Sequence, residues 1–485
     1  MQTAMTIYHR AIGESPGLAT DLYQLTMAQG YWQHGMAERR AVFQFFYRRA
    51  PFKGRFLIAC GTQAVLNFLQ HWRFSDEDVS YLKTLVRPDG TPLFCAEFLD
   101  YLRRLVFRGE VLGVPEGTIV FPNEPILRVQ APLLIAQLLE TPLLNLIGFP
   151  SLVATKAARV CRAAAPNPVI EFGLRRAQGL EAGLMASRAA YIGGCVATSN
   201  VLAGHLFGIP VRGTQAHSWV LSFDDELTAF RAYAETYPTN CILVVDTFRT
   251  LDGIKHAIAV AQGLKAKGQK LLGIRLDSGD LAHLSRVARR LLDEAGLHDV
   301  MILASGDLDE YQIAQLKAQG ACIDSWGVGT RLATAFDEPA LTLVYKLTAI
   351  QGPDGQWEDK MKISSERAKR TIPGILQVRR FYHQGKAVCD LLYDERDSEK
   401  EEPINEVVQE AYSEKRDLLI TLVDDSGRYA DLPDLTSIRQ YAQQELASLP
   451  ENLLTLRAAA QFKVVLSRGV RRRQRALQQI KEPHT

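Results

Sequence analysis

Residues 271–280 read LLGIRLDSGD. An apolar run ends in Arg275, Asp277 and a Ser-Gly-Asp turn. A stripe of Leu281, Leu284, Val287, Leu291 and Leu292 follows, and then Gly296. A continuous Leu/Ile run suits a strand buried on both faces. A stripe that starts at Asp280 and stops at glycine suits a helix. The segment therefore reads as strand, turn, helix, with its polar residues at the strand's C-terminal end. Arg275 and Asp277 are two residues apart, so on a strand they point to one side.

The same pattern recurs on either side. PVIEFG (168–173), CILVVD (241–246), VMILASG (300–306) and CIDSWGVGT (322–330) are further apolar runs with polar or glycine ends. After Asp246, residues Ile254, Ile258, Ala261 and Leu264 share a face before Gly268. Asp307 and Glu310 form a capping-box-like pair, and Ile313, Leu316 and Ala318 precede Gly320. The later strand ends lie about 22 to 30 residues apart, the spacing of βα units. A repeated βα pattern predicts an α/β barrel or a doubly wound sheet, and both place their active sites at strand C-terminal ends. One polar strand end is ordinarily a simple turn. Five that carry Glu, Asp, Arg, Ser and Thr point to a site.

Residues 1–130 read differently. A helical segment at 22–31, a strand at 41–46 and a β segment at 110–121 turning at 115–117 predict a separate α+β domain. The most apolar stretch, 131–153, carries Gln137, Glu140, Thr141 and Asn145 and contains Pro142 and Pro150. Burying those polar groups in lipid is costly, so it reads as a core helix and turn. The expected division is an N-terminal domain over 1–130, a barrel over 131–350 and a C-terminal region over 351–485 partly packed on the first. The charge-dense 394–406 reads as a solvated loop, and the arginine run at 468–475 as a solvated helix end, with an anion patch as the alternative.

Composition limits the function. The chain has 485 residues, 47% hydrophobic and 23% charged, which excludes a disordered or collagenous chain. With 56 Lys and Arg against 54 Asp and Glu, the net charge of +2 gives no support to nucleic-acid binding. Seven widely spaced cysteines with no C-x-x-C pair fit reduced thiols in the cytoplasm rather than zinc or a disulfide framework. The N-terminal residues show no secretory apolar core, and no membrane association is expected.

No P-loop, Rossmann glycine signature, H-E-x-x-H or G-x-S-x-G is present. What remains are anion-binding features. ASGDLD (304–309) and GVGTRL (327–332) are glycine-bearing turns after strands, where backbone N–H groups can approach a phosphate. Gly193–Gly194 and Gly213–Thr214 add two more. Arginine stands beside acid in EFGLRR (171–176) and RLDSGD (275–280), a pairing suited to a phosphorylated sugar or to a structural ion pair. His217, in GTQAHS (213–218), follows a glycine turn and could act as nucleophile or base.

Taken together, these segments resemble the nicotinate phosphoribosyltransferase family. The resemblance runs from TDLY (20–23) through AVFQFF, NEPILR, ATKAAR, EFGLRRA, RAAYIGG, ATSN, GTQAHS, GIRLDSGDL and DSWGVGT to YKL (345–347), and covers roughly residues 18–380. Two departures are Leu174, where the family's motif has Thr, and Gln215, where many members have His.

The resemblance implies the type II phosphoribosyltransferase architecture: an irregular TIM-like α/β barrel plus an N-terminal α+β domain, in a homodimer. It implies that nicotinate and phosphoribosyl pyrophosphate give nicotinate mononucleotide and pyrophosphate, coupled to ATP hydrolysis, as the entry of nicotinate into NAD salvage. On matching positions, His217 would be phosphorylated by ATP, and Arg275 and Asp277 would be catalytic. Asp277 and Asp246 would hold ribose or Mg²⁺, with Ser278 beside them. Gly306, Gly327, Gly329 and Thr330 would cradle the 5-phosphate. Tyr23, contributed across the dimer, would stack on the pyridine ring, Phe172 and Ser199 would bind substrate, and Arg175, Arg275 and Thr214 would lie near nicotinate or pyrophosphate. Ser199 matches an aspartate of the nicotinamide-using relatives, and a neutral residue there favours nicotinate. Nicotinamide and quinolinate phosphoribosyltransferases are the close alternatives. A phosphosugar-binding barrel enzyme of another class would want a catalytic lysine at a strand end, and none is found there. A non-catalytic ligand-binding member would have lost His217, Arg275 or Asp277.

Overall fold

The computed structural model describes residues 15–363, 370–398, 412–457 and 460–481. The chain forms two compact units. One joins the residues up to Leu152 with those from Ala340 on, and the other is Val153–Pro339.

The discontinuous unit is built on a six-stranded antiparallel sheet. Its order is Trp357–Asp359, Leu343–Gln351, Arg40–Tyr47, Leu127–Pro132, Glu110–Gly113 and Ile420–Val423. Alternation along RAVFQFFY sends Ala41, Phe43, Phe45 and Tyr47 into the main core, while Val42 packs on the opposite face with Ala349 and Ile375. A four-stranded sheet of Glu414–Asp417, Leu376–His383, Lys386–Asp394 and Val464–Leu466 belongs to the same unit.

The unit boundaries fall at 152 and 340, against the expected 130 and 350. The reason is packing. Leu133, Leu134, Ile135, Leu138, Leu143, Leu146 and Ile147 join the core of the antiparallel sheet, and the strand Leu343–Gln351 pairs with Arg40–Tyr47. Within 131–153 a short helix, Leu133–Leu138, turns at Leu139 into a second, Glu140–Ala164, which continues through Pro150. Proline cannot donate to the carbonyl four residues back, here Leu146. Gly61 approaches that carbonyl so closely that a Cβ would overlap it, and Ser151 Oγ accepts from Cys60 N at 3.0 Å.

The central unit carries six parallel strands: β1 (Val169–Glu171), β2 (Ala197–Thr198), β3 (Ile242–Val244), β4 (Gly273–Leu276), β5 (Met301–Ala304) and β6 (Ser325–Val328). Their order in space is β2-β1-β6-β5-β4-β3. The first strand therefore pairs with the last, Val169 opposite Trp326. The order is cyclic in sequence, with its one break between β2 and β3, which form no ladder. Helices Thr250–Ala266, Leu281–Glu294 and Glu310–Ala318 follow β3, β4 and β5. Gly268, Gly296 and Gly320 stop them with φ of +71°, +68° and +72°. Asp280 caps its helix by accepting from His283 N at 3.0 Å. At the third helix the cap is Asp309 rather than the expected Asp307. It accepts from Tyr311 N and Gln312 N, which leaves Asp307 in the preceding turn at φ +43°.

Of the charge-dense run, Asp394 ends a strand and is fully buried against Arg396 rather than solvated, and residues 399–406 lie outside the described residues. No helix among the described residues is long and apolar enough to cross a membrane.

Candidate active site

The C-terminal ends of β3, β4 and β5 bring together residues that lie far apart in the chain. Arg275, on β4, donates from Nε to Ser305 Oγ at 2.8 Å and from Nη1 to Thr214 Oγ1 at 3.1 Å. Its Nη2 meets Asp277 Oδ1 at 2.5 Å, so the two residues do point to one side. Ser305, just past β5, donates to the same Asp277 oxygen. Burial would raise the Asp277 carboxyl's pKa. The bonds from Ser305 and Arg275, with the charges of Arg275 and His217, outweigh it and hold the group below its ordinary value.

Asp246, past β3, accepts from Asp277 N at 2.8 Å and Ser278 Oγ at 2.7 Å through Oδ2. Its Oδ1 is buried with no partner. His217 opens the short helix His217–Leu221. Its Nδ1 lies 3.1 Å from Thr247 Oγ1 and its Nε2 3.8 Å from Asp277 Oδ2. Thr214, Asp246, Arg275, Asp277, Ser278 and His217 thus form one connected cluster. Ser305 and Thr247 belong to it as well, two residues to which the sequence motifs assign no role.

A second cluster sits at the ends of β1 and β2. Glu171 is 1% exposed, and its carboxylate accepts from Ser187 Oγ at 2.9 Å, Thr198 Oγ1 at 2.6 Å and the backbone N of Gly173. Ser199 donates its backbone N–H to the Glu171 carbonyl at 2.9 Å. This acid is near Ser199 in space but 28 positions away in the sequence, and its oxygens are engaged within the protein.

The glycines explain how backbone reaches this region. A Cβ on Gly306, at φ +99°, would overlap the carbonyl oxygen of Asp277. A Cβ on Gly327 would stand 2.5 Å from the Phe172 ring, which places Phe172 over the end of β6. Gly329 precedes the single turn Thr330–Ala333, and Thr330 Oγ1 accepts from Arg176 Nε at 3.2 Å. It is Arg176 that makes this bond. Arg175 is exposed in the turn Leu174–Arg176.

Tyr23 lies in the other unit, on the helix Leu22–Gln33, and is 50% exposed. Gln215 is 5% exposed, and neither atom of its amide has a partner. An unpaired buried amide is costly. The only sequence signal for it was its departure from the family's usual histidine.

Profiles of the nicotinate phosphoribosyltransferase N-terminal domain, family and C-terminal domain match residues 18–148, 168–371 and 376–474. The chain is 42% identical to nicotinate phosphoribosyltransferase of Bacillus subtilis over 94% of this chain and 93% of that protein. It is 35% identical to the Homo sapiens enzyme of the same name, over 93% and 94%. The crystal structure of human nicotinic acid phosphoribosyltransferase superposes with a TM-score of 0.81 at 32% identity, covering 94% of this chain and 99% of that one. The fold is that of a type II phosphoribosyltransferase, and the chain belongs to the nicotinate phosphoribosyltransferase family.

Proposed function

We infer that the protein condenses nicotinate with phosphoribosyl pyrophosphate to nicotinate mononucleotide, coupled to ATP hydrolysis. The observation that carries this reading is the cluster of Arg275, Asp277, Thr214, Ser305 and His217 at the strand ends of a chain in this family.

In the reaction the C1–O bond to pyrophosphate breaks while the pyridine nitrogen lone pair forms the C1–N bond. Arg275 is fixed by three side chains and offers its charge to the leaving phosphates. Asp277, held ionised, faces the ribose carbon that becomes cationic. Gly306, Gly327, Gly329 and Thr330 receive the 5-phosphate, where side chains are absent or carry a hydroxyl donor. Phe172 and Tyr23 of the partner subunit supply apolar ring faces for the pyridine.

His217 couples the reaction to ATP. If its Nδ1–H donates to Thr247, the Nε2 lone pair is free to attack the γ-phosphorus. The P–N bond forms, the bond to ADP breaks, and water later hydrolyses the phosphohistidine.

Mg²⁺ usually takes one or two carboxylates and completes its shell with water and substrate phosphates. No group of three or more His, Cys, Asp or Glu that could hold a metal gathers among the described residues. Asp277 Oδ2 and the unpartnered Asp246 Oδ1 fit such a lightly held ion, so these two residues would hold it. When bound, the ion supplies positive charge to the departing pyrophosphate.

The preferred substrate is nicotinate. Ser199 is neutral, and the acid near it, Glu171, is taken by Ser187, Thr198 and Gly173. A homodimer suits the exposed Leu22, Tyr23 and Met27 on one helix, with Tyr23 of the partner subunit stacking on the ring. Seven cysteines with no disulfide among the described residues support a reducing, cytoplasmic setting.

The test is an assay of pyridine mononucleotide formation with nicotinate, nicotinamide and quinolinate in parallel, with and without ATP. Nicotinate should be used best, and ATP should stimulate its use. His217→Ala should lose both ATP hydrolysis and an acid-labile, base-stable phosphate label. A fully ATP-stimulated His217→Ala enzyme would remove the phosphohistidine. Equal use of nicotinamide would remove the substrate assignment.

A further inference from the structure

The arginine run near the C-terminus takes no part in the site described above. It lies in the helix Arg468–Lys481, RGVRRRQRALQQIK, which contains no acid. Arg468, Arg471, Arg472 and Arg475 fall at i, i+3, i+4 and i+7, so they share one face. Val470 is fully buried on another. Arg473 also turns away and binds Asp397 from Nη1 at 2.8 Å and Nη2 at 2.6 Å, and Asp359 from Nε at 3.2 Å. These contacts anchor the helix and engage Asp397.

The four-arginine face lines a cavity of about 730 Å³ whose other wall includes Asp397 and Ser398. Asp397 is the only acid among the described residues lining it, and Arg473 neutralises it. Arg471, Arg472 and Arg475 are exposed and have no carboxylate partner among the described residues. Several guanidinium groups converging on one cleft repel each other until an anion enters. Arginine's planar fork suits phosphate oxygens two at a time. The volume is that of a small-molecule pocket rather than a flat polyanion track.

We propose that this cleft binds the polyphosphate group of a small molecule, a nucleoside di- or triphosphate or inorganic polyphosphate, at a site separate from the strand-end cluster. Arg471, Arg472 and Arg475 are its ligands. Gln479, on the same face one turn beyond Arg475, stands where it can meet a less charged part of the ligand.

Calorimetric titration of the full chain with inorganic tripolyphosphate and, separately, with ATP tests this. The proteins compared are wild type, the triple variant R471A/R472A/R475A, and the triple variant R471K/R472K/R475K. Wild type should bind one more equivalent than the alanine variant, whose kcat/KM for nicotinate should stay within twofold. The lysine variant keeps charge but loses the fork, so its affinity at this site should fall at least tenfold. It also serves as the test if the alanine variant folds poorly. Tripolyphosphate binding as tightly as ATP identifies phosphate alone as the ligand, and ATP binding tighter by tenfold or more at this site adds the nucleoside. Equal stoichiometry in wild type and the alanine variant would overturn the proposal. So would a lysine variant that binds as wild type does, or a preference for single-stranded oligonucleotide over tripolyphosphate.

Discussion

Arg275 and Asp277, two residues apart, are joined side chain to side chain at 2.5 Å, and Ser305 donates to the same carboxylate oxygen. These bonds keep the Asp277 pKa low against the opposing effect of burial. A carboxyl with a depressed pKa keeps its charge until the pH falls through that lowered value. Ser305→Ala removes one of the bonds, so the pKa should rise. The acid limb of the kcat/KM profile for phosphoribosyl pyrophosphate should then move to higher pH. An unmoved limb would detach Asp277's ionisation from activity.

Arg275 also holds Ser305 and Thr214, three bonds from one planar group. Lysine carries the charge but cannot reproduce that geometry. Arg275→Lys should lower kcat/KM by at least about tenfold while the unfolding midpoint shifts by only a few degrees. Near-normal turnover would reassign Arg275 to a structural ion pair.

Gly306 has φ +99° and leaves no room for a Cβ beside the carbonyl of Asp277. Gly306→Ala must displace the turn after β5 and with it the proposed phosphate cradle. Steady-state kinetics should show a raised KM for phosphoribosyl pyrophosphate with little change in the KM for nicotinate. If the two KM values move together, the turn is not a phosphate site.

Ser199 follows β2, at the edge of the Glu171 cluster. An aspartate there would repel a substrate carboxylate and accept from an amide N–H. Ser199→Asp should raise the ratio of nicotinamide to nicotinate kcat/KM. An unchanged ratio would place Ser199 outside the ring pocket.

Lys156 and Glu310 are both fully buried, with Lys156 Nζ 2.7 Å from Glu310 Oε2 in an ion pair that lacks hydrogen-bond alignment. Lys156 also meets Asp337, and Arg159 Nε donates to Glu310 Oε1 at 2.9 Å. Breaking a buried pair from one side costs about 3–5 kcal/mol. Lys156→Met should lower stability in urea by about that amount, and adding Glu310→Gln should recover part of it. A change under about 1 kcal/mol would show that the pair contributes little.

The sequence was most legible where an apolar run is continuous. The five apolar runs became β1, β3, β4, β5 and β6, because a strand covered on both faces draws mostly on apolar residues. Ala197–Thr198 is two residues long, too short to carry any periodicity, so β2 went unread. Arg275 with Asp277 was legible because a strand aligns alternate side chains. The Glu171 cluster was not, because Ser187 and Thr198 reach it through tertiary folding, 16 and 27 residues along the chain. The domain edge at 130 gave residues 131–152 to the wrong unit, because an apolar run does not declare which core it will enter.

The strand pairing of the discontinuous unit sets an order of events during synthesis. The strand Arg40–Tyr47 takes one neighbour from Leu127–Pro132 and the other from Leu343–Gln351. At about 5–20 residues per second, the ribosome makes that second neighbour roughly 300 residues, or about 15–60 s, later. The nascent chain therefore carries an apolar strand with one open edge while the whole of Val153–Pro339 emerges. The central unit, contiguous in sequence, can complete its sheet in that interval. Chaperone demand in the cell should fall on the N-terminal half until residue 351 has been added.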